Sequence, residues 1–167
     1  APTPNIDRLA QRGMLFRNCF VENSLSTPSR ACLMTGLYSH QNGQRQLAEG
    51  IDTTKTFVPE LMQKAGYETG IVGKWHMMCR PKGFDYYYIL DGQGKYYNPN
   101  FCTTGNYGKY KQEMGYATTL TTQHAIEFLD HRQKDKPFCL YVHDKAPHRS
   151  WFAEPKHIGM YDGVDFP

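Results

Sequence analysis

The chain has 167 residues, 40% hydrophobic and 21% charged, the make-up of one globular domain of ordinary size. Its formal net charge of +3 is spread over scattered basic residues, which speaks against a nucleic-acid or anionic-membrane surface. It contains no apolar run of about 18 residues, so no membrane span is expected.

Taken in chain order, Thr3-Pro4 can cap and open a helix, with proline at its first position. Ile6, Leu9 and Ala10 recur at helical spacing, and Gly13 can end the helix. Residues 14–21 read as a strand. Thr27-Pro28-Ser29 starts a second helix that runs through Leu33 and Met34 and stops at Gly36. Val58, Leu61, Met62 and Ala65 predict a third, closed by Gly66, and residues 68–73 a short β-branched strand. Residues 80–115 are mostly loop by composition. The cluster of Tyr and Phe between Phe84 and Tyr110, set among Gly, Asn and Pro, suits a sugar-lining loop or, more commonly, a loop packed on its own aromatics. Residues 118–132 make the longest helix, with Thr121, Ala125, Phe128 and Leu129 on one face, and residues 138–142 a strongly apolar strand. Helices alternating with short apolar strands predict an α/β fold around a mostly parallel sheet.

The cysteines Cys19, Cys32, Cys79, Cys102 and Cys139 are odd in number and form no C-x-x-C pair. They read as buried free thiols rather than a disulfide framework or a thiolate zinc site.

Three polar clusters fall at strand ends or helix starts, where open α/β sheets gather their sites. In Ser26-Thr27-Pro28-Ser29-Arg30 a nucleophile just before a helix faces free backbone N–H groups, and Arg30 adds a fork of donors matched to a tetrahedral oxyanion. Alone, the segment would read as a capping serine and a surface arginine. Gly73-Lys74-Trp75-His76 ends a strand with a cation and a proton carrier two apart, expected to point the same way. His143-Asp144-Lys145-Ala146-Pro147-His148 supplies His and Lys at a second strand end. Zinc is a weak fit there, because no short helical His–His spacing or partner cysteine accompanies it.

In this order the clusters resemble the sulfatase family. The stretch from Ser26 to Gly36 is similar to the signature (C/S)-x-P-S-R-x-x-x-(L/M)-T-G, residues 73–76 to G-K-W-H, residues 145–148 to K-x-P-H, and the opening Thr3-Pro4-Asn5-Ile6-Asp7 to the family's T-P-N-I-D helix. The resemblance implies an alkaline-phosphatase-like α/β/α sandwich, here part of a longer domain. Residues 1–167 are expected to be an internal part of the N-terminal catalytic domain, lacking its first strand and its C-terminal part.

The resemblance also implies the chemistry. Ser26 would be oxidised by a maturation enzyme to formylglycine and hydrated to a geminal diol. One hydroxyl would attack sulfur, and the other would collapse to the aldehyde and expel sulfate. Arg30 would stabilise the diol, Lys74 neutralise sulfate oxygens, His76 take a proton on the nucleophile side and His148 protonate the leaving alcohol. Lys145 and Gln93 would contact substrate. A Ca²⁺ ion would be bound through residue 26 as formylglycine and by carboxylates outside these residues. The serine-type signature and residues 92–99 and 145–151 look most like the bacterial branch acting on N-acetylglucosamine-6-sulfate of mucin or glycosaminoglycans. That implies glycan degradation in the periplasm or outside the cell. A phosphonate or phosphate monoester hydrolase of the same fold, or an inactive fragment, are the alternatives.

Overall fold

The computed structural model describes residues 2–47 and 50–165. Its helices are α1 (Pro4–Arg12), α2 (Ser26–Thr35), α3 (Ser39–Asn42), α4 (Val58–Lys64) and α5 (Ala117–His131), followed by a short 3₁₀ turn at Pro155–His157. The strands are β1 (Glu68–Gly73), β2 (Tyr86–Leu90), β3 (Asn100–Thr103), β4 (Lys111–Gln112) and β5 (Phe138–His143), in the sheet order β4-β3-β2-β1-β5. β1 lies parallel to both neighbours, pairing Gly70 with Tyr86 on one side and with Leu140 on the other. The β2–β3 and β3–β4 pairs are antiparallel. The sheet is therefore parallel where β1 and β5 deliver their ends to the site and antiparallel at the far edge.

Alternation along the strands assigns the two faces. Ile71 of β1, Tyr87 and Ile89 of β2 and Cys102 of β3 share one buried cluster with Ala31 and Met34 of α2 and with Phe57 at the start of α4. The opposite face meets α5, where Phe128 packs on Tyr86 at 5.5 Å between ring centroids and His124 stacks on Tyr88 at 3.5 Å. Helices thus cover both faces, giving the α/β/α layering. Gly70 makes the α5 contact possible, since a Cβ there would sit 2.9 Å from Leu140 and 3.0 Å from the Phe128 ring. Burial of Phe128, 3% exposed, stabilises this layer by about 1.5–3 kcal/mol.

One strand expectation is corrected. Residues 14–21 form no strand; Met14, Leu15, Phe16, Phe20 and Val21 are exposed, and no neighbouring strand among the described residues offers them a ladder. The stretch 80–115 is mostly loop, as expected, but it also carries the short strands β2, β3 and β4, which were not foreseen. Its tyrosines are good strand formers, but the Gly, Asn and Pro around them obscure the signal. The helical spacing of Ile6 and Leu9 does give a helix, yet both side chains remain exposed, so its apolar face has no cover among the described residues. All five cysteines are free, as expected, but only Cys32 and Cys102 are buried; Cys79 and Cys139 are half-buried and Cys19, in the exposed stretch before α2, is exposed.

Candidate functional site

The carboxyl ends of β1 and β5 lie side by side, and this pairing builds the site's floor. Gly73 pairs with His143, and the Lys74 N–H donates to the His143 carbonyl at 2.7 Å. Gly73 has φ 88°, and a Cβ there would fall 2.0 Å from that carbonyl, so only glycine allows the two backbones to approach. Beyond it the chain turns left-handed at His76, φ 50°.

The start of α2 faces this floor. Ser26 is the first helical residue and Leu25 the N-cap, one position later in the helix than the sequence indicated. The Ser29 N–H is already bonded to the Leu25 carbonyl at 2.9 Å, and Pro28 has no N–H, so the free donors of the first turn belong to Ser26 and Thr27. Arg30, one turn on, donates through one terminal nitrogen to the Lys74 carbonyl and to His143 Nδ1, both at 2.8 Å, and its Nε lies 3.4 Å from Ser26 Oγ. Nδ1 of His143 also lies 3.2 Å from the Lys74 carbonyl, to which it could only donate, but the Arg30 contact is the shorter and arginine can only donate, so Nδ1 is assigned as the acceptor and the ring proton to Nε2. Thr27 adds a bond from its hydroxyl to the His76 carbonyl at 3.3 Å.

These elements open on one cleft of about 660 Å³, whose lining includes Ser26, Arg30, Lys74, Gln93, Lys145 and His148 together with Leu25, Asp144, Arg149 and Trp151. Lys74 and Lys145 are only 4% and 6% exposed. Among the described residues neither they nor Arg30 forms an ion pair with a carboxylate. Lys145 instead lies over the Tyr96 ring at 4.9 Å, a cation–π contact.

Titration follows from this crowding of positive charge. Burial, then the charges of Arg30 and Lys145, lowers the Lys74 ammonium from its ordinary 10.5 to about 8. Burial lowers Lys145 as well, and brings the Arg30 guanidinium to about 10. His143 falls to about 4 through burial and Arg30, and His76 falls through burial, then Lys74 and Arg30. Both imidazoles are therefore neutral near pH 7, and an anion in the cleft would reverse the unfavourable part of each cationic shift.

His76 is the one sequence-predicted residue that does not line the cleft. Lys74 and His76 both follow the last residue of β1, so the alternation that would align two strand residues does not apply to them. His76 nonetheless lies close enough to feel Lys74, Arg30 and His148, and its Nδ1 is buried without a hydrogen-bond partner. Gln93 likewise leaves a buried Oε1 unpaired. His148 donates from Nδ1 to the Arg149 carbonyl at 2.7 Å, which leaves Nε2 as its free ring position. His143, which the sequence marked only as part of a polar turn, proves to be the partner of Arg30. Arg149 and Trp151 carried no separate signal beyond following the K-x-P-H segment.

Comparison with known proteins gives the family. The family profile described as Sulfatase matches residues 1–165. An N-acetylglucosamine-6-O-sulfatase of Bacteroides thetaiotaomicron is 47% identical over 99% of this chain and 30% of its own length. The human N-sulphoglucosamine sulphohydrolase is 36% identical over 93% of this chain and 29% of its own length. The solved complex of BT4656 with its substrate D-glucosamine-2-N,6-O-disulfate superposes with a TM-score of 0.93 at 47% identity, covering 99% of this chain and 33% of that one. The chain thus spans about a third of the length of these relatives. With its alkaline-phosphatase-like layering and its cationic cleft, the chain belongs to the sulfatase family.

Proposed function

We propose that the protein hydrolyses sulfate esters of sugars, with N-acetylglucosamine-6-sulfate units of mucin or glycosaminoglycans as the substrate class. One observation carries the reading: Arg30, Lys74 and Lys145 line one cleft with Ser26, and among the described residues none of them forms an ion pair with a carboxylate, although Asp144 lines the cleft as well. Buried cations left unpaired are costly unless a ligand supplies the counter-charge, and a sulfate ester does so. The sugar assignment is supported by the 47% identical relative, an N-acetylglucosamine-6-O-sulfatase.

Ser26 fits as the precursor of formylglycine, half-buried at a helix start beside Arg30. In that form the residue supplies a diol, one hydroxyl to attack sulfur and one to expel sulfate afterwards. The surrounding residues hold charge and move protons. Lys74 and Lys145 bind the sulfate oxygens, and Arg30, held by His143 and the Lys74 carbonyl, fixes position 26. Preorganised donors of this kind are each worth about 10²–10³-fold in turnover. His76, neutral and with an unpaired Nδ1, is assigned the proton on the nucleophile side by the family resemblance, although it does not itself line the cleft. His148 presents Nε2, which once protonated can give its proton to the departing sugar oxygen. Gln93 offers an unpaired amide oxygen to a sugar hydroxyl.

Calcium, common in the family, takes about six to eight oxygen ligands. Among the described residues no three His, Cys, Asp or Glu groups lie close enough to share a metal. These residues alone do not make such a site, and no step above runs through a metal. A maturation enzyme acting on Ser26 and export to the periplasm or cell exterior belong to the same proposal. No described helix is long and apolar enough to cross a membrane.

The test uses the full-length protein made with a maturation system. Sulfate release from N-acetylglucosamine-6-sulfate is followed by ion chromatography, beside a panel of phosphate and phosphonate monoesters. Turnover of the sulfated sugar is expected. Preference for the phosphorus esters would overturn the reading.

A further inference from the structure

The segment carrying His148 has no regular structure of its own, and the residues after it are exposed, Trp151 by 71% and Phe152 by 57%. Within the segment the His148 N–H donates to the Lys145 carbonyl at 3.0 Å, and the Trp151 N–H reaches the His148 carbonyl only at 3.4 Å; further support comes from outside it. The Tyr96 hydroxyl donates to the carbonyl of His148 itself. Tyr97 donates to the Ala153 carbonyl, and Tyr116 to the Phe152 carbonyl at 2.8 Å.

These tyrosines are anchored in turn. The Ala117 N–H, at the start of α5, donates to the Tyr96 carbonyl at 2.8 Å, and Tyr97 bridges Tyr116. Tyr96 is 5% exposed, stacked on Tyr116 at 6.0 Å and edge-on to Phe152 at 6.0 Å. A continuous path therefore runs from a rigid helix through the Tyr96 backbone and hydroxyl to the main chain of His148.

We propose that Tyr96 is a positioning residue for His148. By holding the His148 carbonyl it sets where the free Nε2 meets the leaving oxygen, while its ring seats Lys145 beside the same cleft. The inference rests on the reading of His148 as the group that protonates the leaving alcohol. Loss of one hydroxyl removes the hydrogen bond but keeps the ring, its stacking and the cation–π contact, so Tyr96→Phe preserves the fold's packing. A mispositioned proton donor lowers turnover of substrates that need the proton and spares those that do not.

The experiment measures kcat and KM of the matured full-length enzyme on N-acetylglucosamine-6-sulfate and on 4-nitrophenyl sulfate, whose leaving group departs without protonation. Tyr96→Phe is expected to lower kcat on the sugar on the order of tenfold, with KM and aryl sulfate turnover little changed. In a His148→Ala background the same change should cost nothing further, because its effect passes through His148. Tyr116→Phe, whose bond lies four residues beyond His148, should leave the ratio of the two substrates unchanged. Equal losses on both substrates in Tyr96→Phe, or additive losses with His148→Ala, would mean general loosening and would overturn the proposal. If His148→Ala itself damages both substrates alike, the reading of His148 fails, and the proposal with it.

Discussion

Lys74 offers the most direct measurement of whether the cleft is built for an anion. It is 4% exposed, and burial together with Arg30 and Lys145 brings its ammonium to about 8. At that value about nine-tenths of the molecules carry the charge at pH 7 and about one-tenth at pH 9. Sulfate stays fully ionised throughout, Arg30 titrates only near 10, and His76 is already neutral. Affinity for inorganic sulfate, measured by titration calorimetry on the full-length protein at constant ionic strength, should therefore fall about tenfold between pH 7 and pH 9. Lys74→Met should bind more weakly at pH 7 and lose most of this pH dependence. Lys145 is lowered as well, so Lys145→Met is measured in parallel. The sign for folding is opposite. An unfolded lysine keeps its proton to about 10.5, so between 8 and 10.5 the unfolded chain binds more protons and stability rises with pH. Below pH 8 the ligand-free fold carries the whole penalty, about 3 kcal/mol at 1.36 kcal/mol per tenfold. Lys74→Met should remove it and raise the unfolding temperature of the ligand-free protein. If wild type keeps its sulfate affinity to pH 9, or Lys74→Met retains the full pH dependence, the account of the cleft as an unpaired cationic site is wrong.

Other expectations concern neighbouring residues. In a host with the maturation enzyme, the peptide holding Ser26 should be lighter by two hydrogens and react with hydrazides; an active preparation carrying only unmodified serine would remove the diol chemistry. His143→Leu takes away the Nδ1 that accepts from Arg30, and turnover should fall on the order of tenfold on sugar and aryl sulfates alike, with His143→Gln partly restoring it. Selectivity between the two substrates in His143→Leu would contradict a role through Arg30. Because His143 is held near 4 against an unfolded value of about 6.5, stability should be lost as pH falls from 6.5 through 4. That acid-side loss, read as unfolding temperature against pH, should flatten in the leucine variant. Gly73→Ala should cost about 4 kcal/mol or more, since its Cβ would meet the His143 carbonyl at 2.0 Å; near-wild-type chemical denaturation would show that the β1 and β5 ends can separate.

Much of the positioning framework was legible in the sequence because it rests on short-range chemistry. β1 and β5 are compact β-branched or apolar runs with glycine or proline punctuation, and the observed Glu68–Gly73 strand coincides with the reading. Helix α2 could be placed because Thr-Pro-Ser at its start and Gly36 at its end are strong local signals. The misreadings involve partners far away in sequence. Residues 14–21 have strand composition, but a strand exists only where a neighbour offers a ladder. β2 was hidden because Tyr86, Tyr87 and Tyr88 sit among loop formers, and only pairing with β1 and β3 decides their state. Within the site, the candidate cations could be named one by one from their motifs. That His143 would serve Arg30 from 113 residues away could not be read, because nothing local marks it.

The contact at Gly73 has a mechanical consequence. One carbonyl, that of His143, receives the Lys74 N–H and leaves no room for a side chain opposite it. The turn bearing Lys74 and the turn bearing Lys145 therefore leave the sheet from a common fulcrum. Neither can shift without dragging the other, and the spacing of the two ammonium groups at the floor works as a fixed gauge. Any breathing that admits a bulky ligand must happen at the outer lip, where residues 148–153 are fastened by hydroxyls rather than by a strand. Efforts to widen the range of accepted ligands should accordingly alter the lip and leave the fulcrum alone.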